Sequence, residues 1–159
     1  MNSIRYVDPY AQHGRLYRAY CSLSATKAGL WLSEKLAWKL DPWLLSHGLK
    51  GFSGPLASAV LETRGARTGQ PRRTAVLYFH DGEAITIVAS KAGASTHPGW
   101  YFNLAKNPAA RFAGQPYTAH IITEDKERLW QLADNVFPPF AQYRARAGRE
   151  IPIIQLLPQ

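Results

Sequence analysis

A single cysteine, Cys21, stands among 159 residues, which excludes a disulfide framework and any paired-thiol metal or redox site. The five histidines (His13, His47, His80, His97, His120) lack the close spacing of a metal-binding pair, and we expect no metal. Acidic groups are also scarce. Eleven Asp and Glu face nineteen Lys and Arg, giving a formal charge of +8 that favours an anionic partner: nucleic acid, lipid or an acidic small molecule. No apolar run reaches bilayer-spanning length, and Arg5 and Asp8-Pro9 stand where a leader peptide would carry its apolar block. These absences read as a cytoplasmic protein. No internal repeat or low-complexity tract occurs.

At 46% hydrophobic residues the chain can bury one sizeable core, and it is too short for two independent domains. The spacing divides it into an N-terminal helical appendage, residues 1–50, and a main domain, residues 51–159. In the appendage, Leu16 to Leu45 reads as helical, ended or kinked at Asp41-Pro42. Its lysines and tryptophans suit an anionic membrane surface, while Glu34 and Asp41 interrupt the basic face and favour packing on the protein's own core or on a second subunit. Gly48, Gly51, Gly54 and Pro55 mark the loop that follows.

Beyond that loop the period changes. Strands are expected at Leu56–Thr63, Arg73–His80 and Ala84–Ser90, an antiparallel meander turning at Asp81-Gly82. A short helix follows from Pro98 to Asn107-Pro108, capped by Thr96 or His97. One or two strands fill Ala109–Thr123, a helix carries Leu129, Leu132, Ala133 and Val136, and Pro138-Pro139 stops it. A loop or short helix through Tyr143 leads to a last strand, Ile151–Leu157. This order predicts an α+β protein, a small antiparallel barrel with helices at its mouth and flank.

Chemistry concentrates at three points. Thr63 to Arg73 reads Thr-Arg-Gly-Ala-Arg-Thr-Gly-Gln-Pro-Arg-Arg, four arginines and two glycines with no acid among them. Gly65 and Gly69 can take positive φ and converge backbone N–H groups, and Arg67 and Arg72 can grip phosphate or carboxylate through two-pronged hydrogen bonds. Ser90 and Lys91 end a strand, and the helix beyond them offers a positive N-terminus beside Trp100 and Tyr101. Together they form an anion-binding rim next to aromatic rings, suited to a planar ring with a charged tail.

Four ordered motifs sharpen this picture: the arginine turn, Tyr-Phe-His-Asp-Gly, Val-Ala-Ser-Lys-Ala-Gly-Ala and His-Pro-Gly-Trp-Tyr-Phe-Asn-Leu. From about Leu61 to the Ile-Pro-Ile-Ile segment, the chain resembles the deazaflavin-dependent nitroreductase family. The resemblance implies a split antiparallel β-barrel of the FMN-binding-like kind that binds the reduced deazaflavin coenzyme F420 and passes a hydride to a small-molecule acceptor: a quinone, nitro compound or activated alkene. It assigns coenzyme contacts to Arg67, Thr68, Gly69, Gln70 and Arg72 in the turn, Ser90 and Lys91 at the strand end, and Trp100, Tyr101 and Asn103 on the short helix. The lack of a catalytic triad agrees, because the cofactor carries the reaction. Tyr143 matches a substrate-side tyrosine and is the candidate proton donor. Phe140 and Leu77 stand where relatives show tyrosines, so the acceptor pocket, lined by Leu77, Phe140 and Tyr143, is expected to be apolar and to favour a quinone or hydrophobic enone.

Two other readings stay open at this level: a coenzyme F420 carrier without turnover of its own, and an FMN-dependent oxidoreductase of the same barrel type. Specific nucleic-acid binding is not expected, because the arginines gather in one turn and do not track a groove. A monomer or homodimer is compatible with the sequence, as is a peripheral position at the inner face of the cell membrane.

Overall fold

The computed structural model describes residues 4–32, 38–47, 49, 51 and 54–159. Six strands form a closed antiparallel barrel in the order β1-β2-β3-β6-β5-β4, with β4 returning to β1. They are β1 (Ser58–Arg64), β2 (Pro71–Asp81), β3 (Ala84–Val88), β4 (Ala109–Phe112), β5 (Gln115–Ile121) and β6 (Ile153–Pro158). The expected meander is β1-β2-β3. The stretch 109–123 resolves into two strands because Ala113 (φ 47°) and Gly114 (φ 82°) both turn left-handed, as a two-residue hairpin requires.

Alternation along the strands sorts side chains into two cores. Leu61, Tyr78, Ile85, Ile87, Phe112, Ile154 and Leu156 fill the barrel, and Trp100 and Leu104 from α4 (Gly99–Lys106) join them. Phe79 and Ile153, one position out of phase, face α5 (Lys126–Val136) and α6 (Pro139–Ala147). Pro138-Pro139 ends α5 as expected, and Pro139 then starts α6, where a missing N–H costs nothing. The Arg144 fork holds Asp134 at 2.6–2.8 Å and its guanidinium lies 4.1 Å from the Trp130 ring centre, fastening the two helices together.

The N-terminal region is three helices where one helical run was expected: α1 (Arg15–Ser24), α2 (Lys27–Leu32) and α3 (Trp38–Ser46). Thr26 breaks the run by accepting the Gly29 N–H on its hydroxyl, an N-cap geometry. Pro42 is the fifth of the nine residues of α3 and does not end it, although its missing N–H leaves one carbonyl of the ladder without a donor. Residues 33–37 and Gly48, part of the expected helix and loop, lie outside the described residues. Cys21 is buried against the α5–α6 core, and the Tyr17 hydroxyl donates to the Val136 carbonyl at 2.6 Å. Ahead of α1 the chain runs along β2. His80 N–H donates to the Val7 carbonyl at 3.0 Å, Val7 N–H donates to His80 Nδ1 at 3.1 Å, and Tyr78 donates to the Arg5 carbonyl at 2.9 Å.

Candidate functional site

The β1–β2 register runs to Arg64 opposite Pro71 and leaves a six-residue turn. Gly65 N–H donates to the Gln70 carbonyl (2.8 Å) and Gly69 N–H to that of Gly65 (2.7 Å), while the Thr68 hydroxyl accepts from Gln70 N–H at 3.3 Å. Gly69 takes the expected left-handed φ (68°), but Gly65 does not. Gly65 is required for space: a Cβ there would stand 2.8 Å from Thr68 Oγ1 and 3.3 Å from the Gln70 carbonyl. Arg73 pairs with Glu62 across the ladder at 3.3 Å, so one of the four arginines is neutralised from outside the turn. Arg64, Arg67 and Arg72 are exposed and have no ion-pair partner among the described residues.

Asn103 ties this turn to α4. Its Oδ1 accepts the Ala66 N–H at 2.8 Å and its Nδ2 donates to Thr63 Oγ1 at 2.9 Å, with both Asn103 and Thr63 buried. The backbone donor fixes which end of the amide is oxygen. Lys106, one turn on, donates to the Ala66 carbonyl. Trp100 sits in the barrel core, whereas Tyr101 is half-buried with its ring 4.7 Å from that of His97. Neither Thr96 nor His97 caps α4. Pro98 occupies the cap position, and the Thr96 hydroxyl instead accepts from Lys91 Nζ at 2.8 Å.

The Ser90–Lys91 corner is strained. Lys91 (φ 45°), Ala92 (φ 52°) and Gly93 (φ 74°) are left-handed in succession, and only Gly93 adopts that region readily. Two arginines from the end of α6 and beyond hold the corner. Arg146 donates to the Ala92 carbonyl, while Arg149 reaches the carbonyls of Ala94 (2.9 Å), Ala89 and Ser90 (3.2 Å each) and Glu150 (3.1 Å), and His97 Nδ1 (2.9 Å). Burial draws the Arg149 guanidinium below its ordinary pKa. Burial, and then the Arg149 charge, do the same to His97. Sequence reasoning missed Arg146 and Arg149 as site elements, because they are held mainly by backbone carbonyls that no residue pattern encodes, and it read His97 only as a helix cap.

Leu77 and Phe140, expected to share an acceptor pocket, do line one narrow crevice, together with Leu56, Phe79, Val88 and Phe137. Tyr143, expected in the same pocket, does not line the crevice: it lies one turn further along α6, its ring 6.2 Å from that of Phe140, and its backbone closes on Gly93. Burial raises the Tyr143 hydroxyl above its ordinary pKa, more than the nearby Arg146 lowers it. The structure thus joins the arginine turn to α4 through Asn103, and the Ser90–Lys91 corner to α4 and α6 through Arg149. Trp100 and Tyr143 belong to different cores. Among the described residues no cluster of His, Cys, Asp or Glu could hold a metal, and no helix is long and apolar enough to cross a membrane.

Comparison with known proteins agrees with this architecture. The sequence model of the F420H(2)-dependent quinone reductase family matches residues 47–158. The F420H(2)-dependent quinone reductase Rv1261c of Mycobacterium tuberculosis is 38% identical over 111 residues, 65% of this chain and 74% of that protein. Among solved structures, one titled an F420-H2 dependent reductase (FDR-A) is 30% identical with a TM-score of 0.54, covering 62% of this chain and 92% of its own. A second, described as a domain-swapped dimer, is 27% identical with a TM-score of 0.58, covering 79% and 96%.

Proposed function

The chain belongs to the F420H(2)-dependent quinone reductase family, a family of oxidoreductases that use coenzyme F420, and from that premise we propose how its own residues serve the reaction. The observation that carries the reading is the set of exposed guanidinium groups, Arg64, Arg67 and Arg72, without ion-pair partners among the described residues, on a turn bolted to the middle of α4 through Asn103. A phosphate and glutamate tail is polyanionic, and this donor set fits it in charge and in hydrogen-bonding type. The turn is closed by its own N–H bonds, with Gly69 left-handed, and leaves the exposed side chains of Thr68 and Gln70 to meet the same tail. Ser90, Lys91 and the N-terminal end of α4 complete the rim, with Tyr101 at its edge.

When bound, the coenzyme supplies a hydride. The chain's task is placement, exclusion of water and delivery of a proton. The apolar side chains of Leu77 and Phe140 beside α6 favour a quinone ring over a polar nitro compound; activated alkenes of similar polarity are compatible with them. A quinone that gains a hydride needs one proton to become a hydroquinone. Tyr143 supplies it: its hydroxyl, like any phenol, is protonated at neutral pH, and because burial raises its pKa further the proton moves only as the basic quinol oxyanion forms. Titrating the protein with F420 and with FMN, then following oxidation of reduced F420 by menadione, a nitroaromatic and an enone, tests the reading. Binding of F420 with oxidation fastest for the quinone is expected; binding of FMN alone would overturn it. Tyr143→Phe should slow quinone turnover about 10²-fold, the usual scale of one acid–base group, with coenzyme affinity retained. Equal loss of both would reject the donor role.

The family match starts at residue 47 and supports dividing the chain into a helical appendage, residues 1–50, and a coenzyme-binding barrel, residues 51–159. The appendage exposes Leu16, Leu23, Trp31 and Trp43 among Arg15, Arg18, Lys27 and Lys39. That mixture fits the interface of an anionic bilayer, where lipophilic quinones reside. Co-sedimentation with anionic but not zwitterionic vesicles is the expected result, and equal binding to neither would remove this second reading.

A further inference from the structure

A guanidinium group has five N–H donors, and the bonds of Arg149 account for all five: one from Nε to Ala94, two from Nη1 to Glu150 and His97, and two from Nη2 to Ala89 and Ser90. None goes to a carboxylate. Four carbonyl dipoles and one imidazole nitrogen solvate a full positive charge, so its field is left over for whatever anion lies in front of the loop. Three of the carbonyls belong to the segment Ala89–Ala94, which contains the two non-glycine residues held left-handed. Such backbone persists only where surrounding bonds over-determine it.

The fifth partner carries chemical information. A guanidinium cannot accept a hydrogen bond, so His97 Nδ1 must accept, and the ring proton must sit on Nε2. The same ring is wedged against Tyr101 at 4.7 Å and edge-on to Phe102 at 5.8 Å, at the entrance to α4. The imidazole is thereby held as a neutral donor with one N–H to offer, and among the described residues that N–H has no partner.

We propose that Arg149 is the positioning residue of the coenzyme rim: its fork fixes the Ser90–Lys91 corner from behind and sets His97 as an Nε2–H donor toward the bound coenzyme. This rests on the reading that the corner and the start of α4 contact F420. It adds Arg149, which lies outside the sequence motifs and the apolar crevice, and gives His97, read from the sequence only as a helix cap within a motif, a role of its own.

The test uses the full chain with ¹⁵N-labelled histidine, first without coenzyme. Long-range ¹H–¹⁵N spectra at neutral pH should show His97 with bare Nδ1 and protonated Nε2. Hydrogen exchange should show slow amides at Gly93 and Ala94, whose N–H groups close the corner onto Ser90 and Lys91. Arg149→Gln should mix the His97 tautomers, speed exchange at both amides and weaken F420 about tenfold or more, the scale of one lost charge-assisted bond. Arg149→Lys keeps the charge without the fork and should fall between the two; it also serves if the glutamine variant does not fold. A protonated Nδ1 in the unmodified protein, or Arg149→Lys matching it in all three readouts, would overturn the clamp. If the unmodified protein binds no F420, the functional reading fails and the coenzyme role of Arg149 with it, whatever the spectra show.

Discussion

Asn103 offers the sharpest quantitative test, because one side chain joins the arginine turn to the helix. Replacing it by alanine deletes two hydrogen bonds, 2.8 Å from Ala66 N–H and 2.9 Å to Thr63 Oγ1. Each bond contributes about 1 kcal/mol net. The buried Thr63 hydroxyl is left without its donor, and the half-buried Ala66 N–H loses its acceptor, together about another 1–2 kcal/mol. The expected destabilisation is about 3 kcal/mol, which for a chain of this size lowers Tm by roughly 6–12 °C. Thr63→Val should cost about 1 kcal/mol through the stranded Asn103 donor. In the double variant that donor is already gone, so the two costs should fall short of additivity by about 1 kcal/mol. Urea melts of the four proteins measure this cycle, and coenzyme titration of Asn103→Ala should show weaker binding as the turn swings free. A Tm within about 2 °C of the parent would refute the bridge, since it leaves less than about 1 kcal/mol for two bonds, and strict additivity would refute its Thr63 arm.

Arg67→Ala should weaken F420 by about tenfold, one charge-assisted contact's worth, with Tm unchanged because no ion pair is lost, and the deficit should shrink as salt rises. Gly93→Ala should cost about 2–3 kcal/mol in a urea melt: φ is 74° there, and the new Cβ would meet the Tyr143 Cα and carbonyl oxygen at 3.0 Å. Burial lowers the His80 pKa below its ordinary 6.5, and Nδ1 must stay bare to accept the Val7 N–H. The folded state therefore binds a proton less readily than the unfolded one. Stability should be full above pH 6.5 and decline as pH falls through the lowered His80 value, with His97 adding to the slope. His80→Gln should flatten that Tm–pH profile in part; an unaltered profile would show that His80 does not supply the slope.

Much of the barrel was legible because half-buried strands impose a two-residue alternation and hairpins demand particular turn residues. The β2–β3 loop is Gly82-Glu83, one residue past the expected Asp81-Gly82, because Asp81 still pairs with Ala84, and the β4–β5 loop puts an alanine, Ala113, in the left-handed region where those rules favour Asn, Asp or Gly. The helix after Gly93 was found from Pro98 to within a residue. The N-terminal helices were less legible, because Thr26 breaks the run by a side-chain bond that leaves the apolar spacing intact. At the site, Arg67 and Arg72 announce themselves by lacking acidic neighbours, and even so Arg73 found Glu62 only through the strand register. Arg149 could not announce itself at all. It answers carbonyl groups that every residue carries, and their convergence is a property of the folded chain.

The strand that completes the ring has a consequence for how the molecule comes into being. Ile153–Pro158 slots between β3 and β5, so a nascent chain that has reached Gly148 already holds five of six staves with two raw flanks. Each flank offers unmet amide and carbonyl groups to any neighbour. Synthesis therefore passes through a stage in which the keystone is still unmade, and shielding of that gap, by helper proteins or by speed, is part of what this fold demands of the cell.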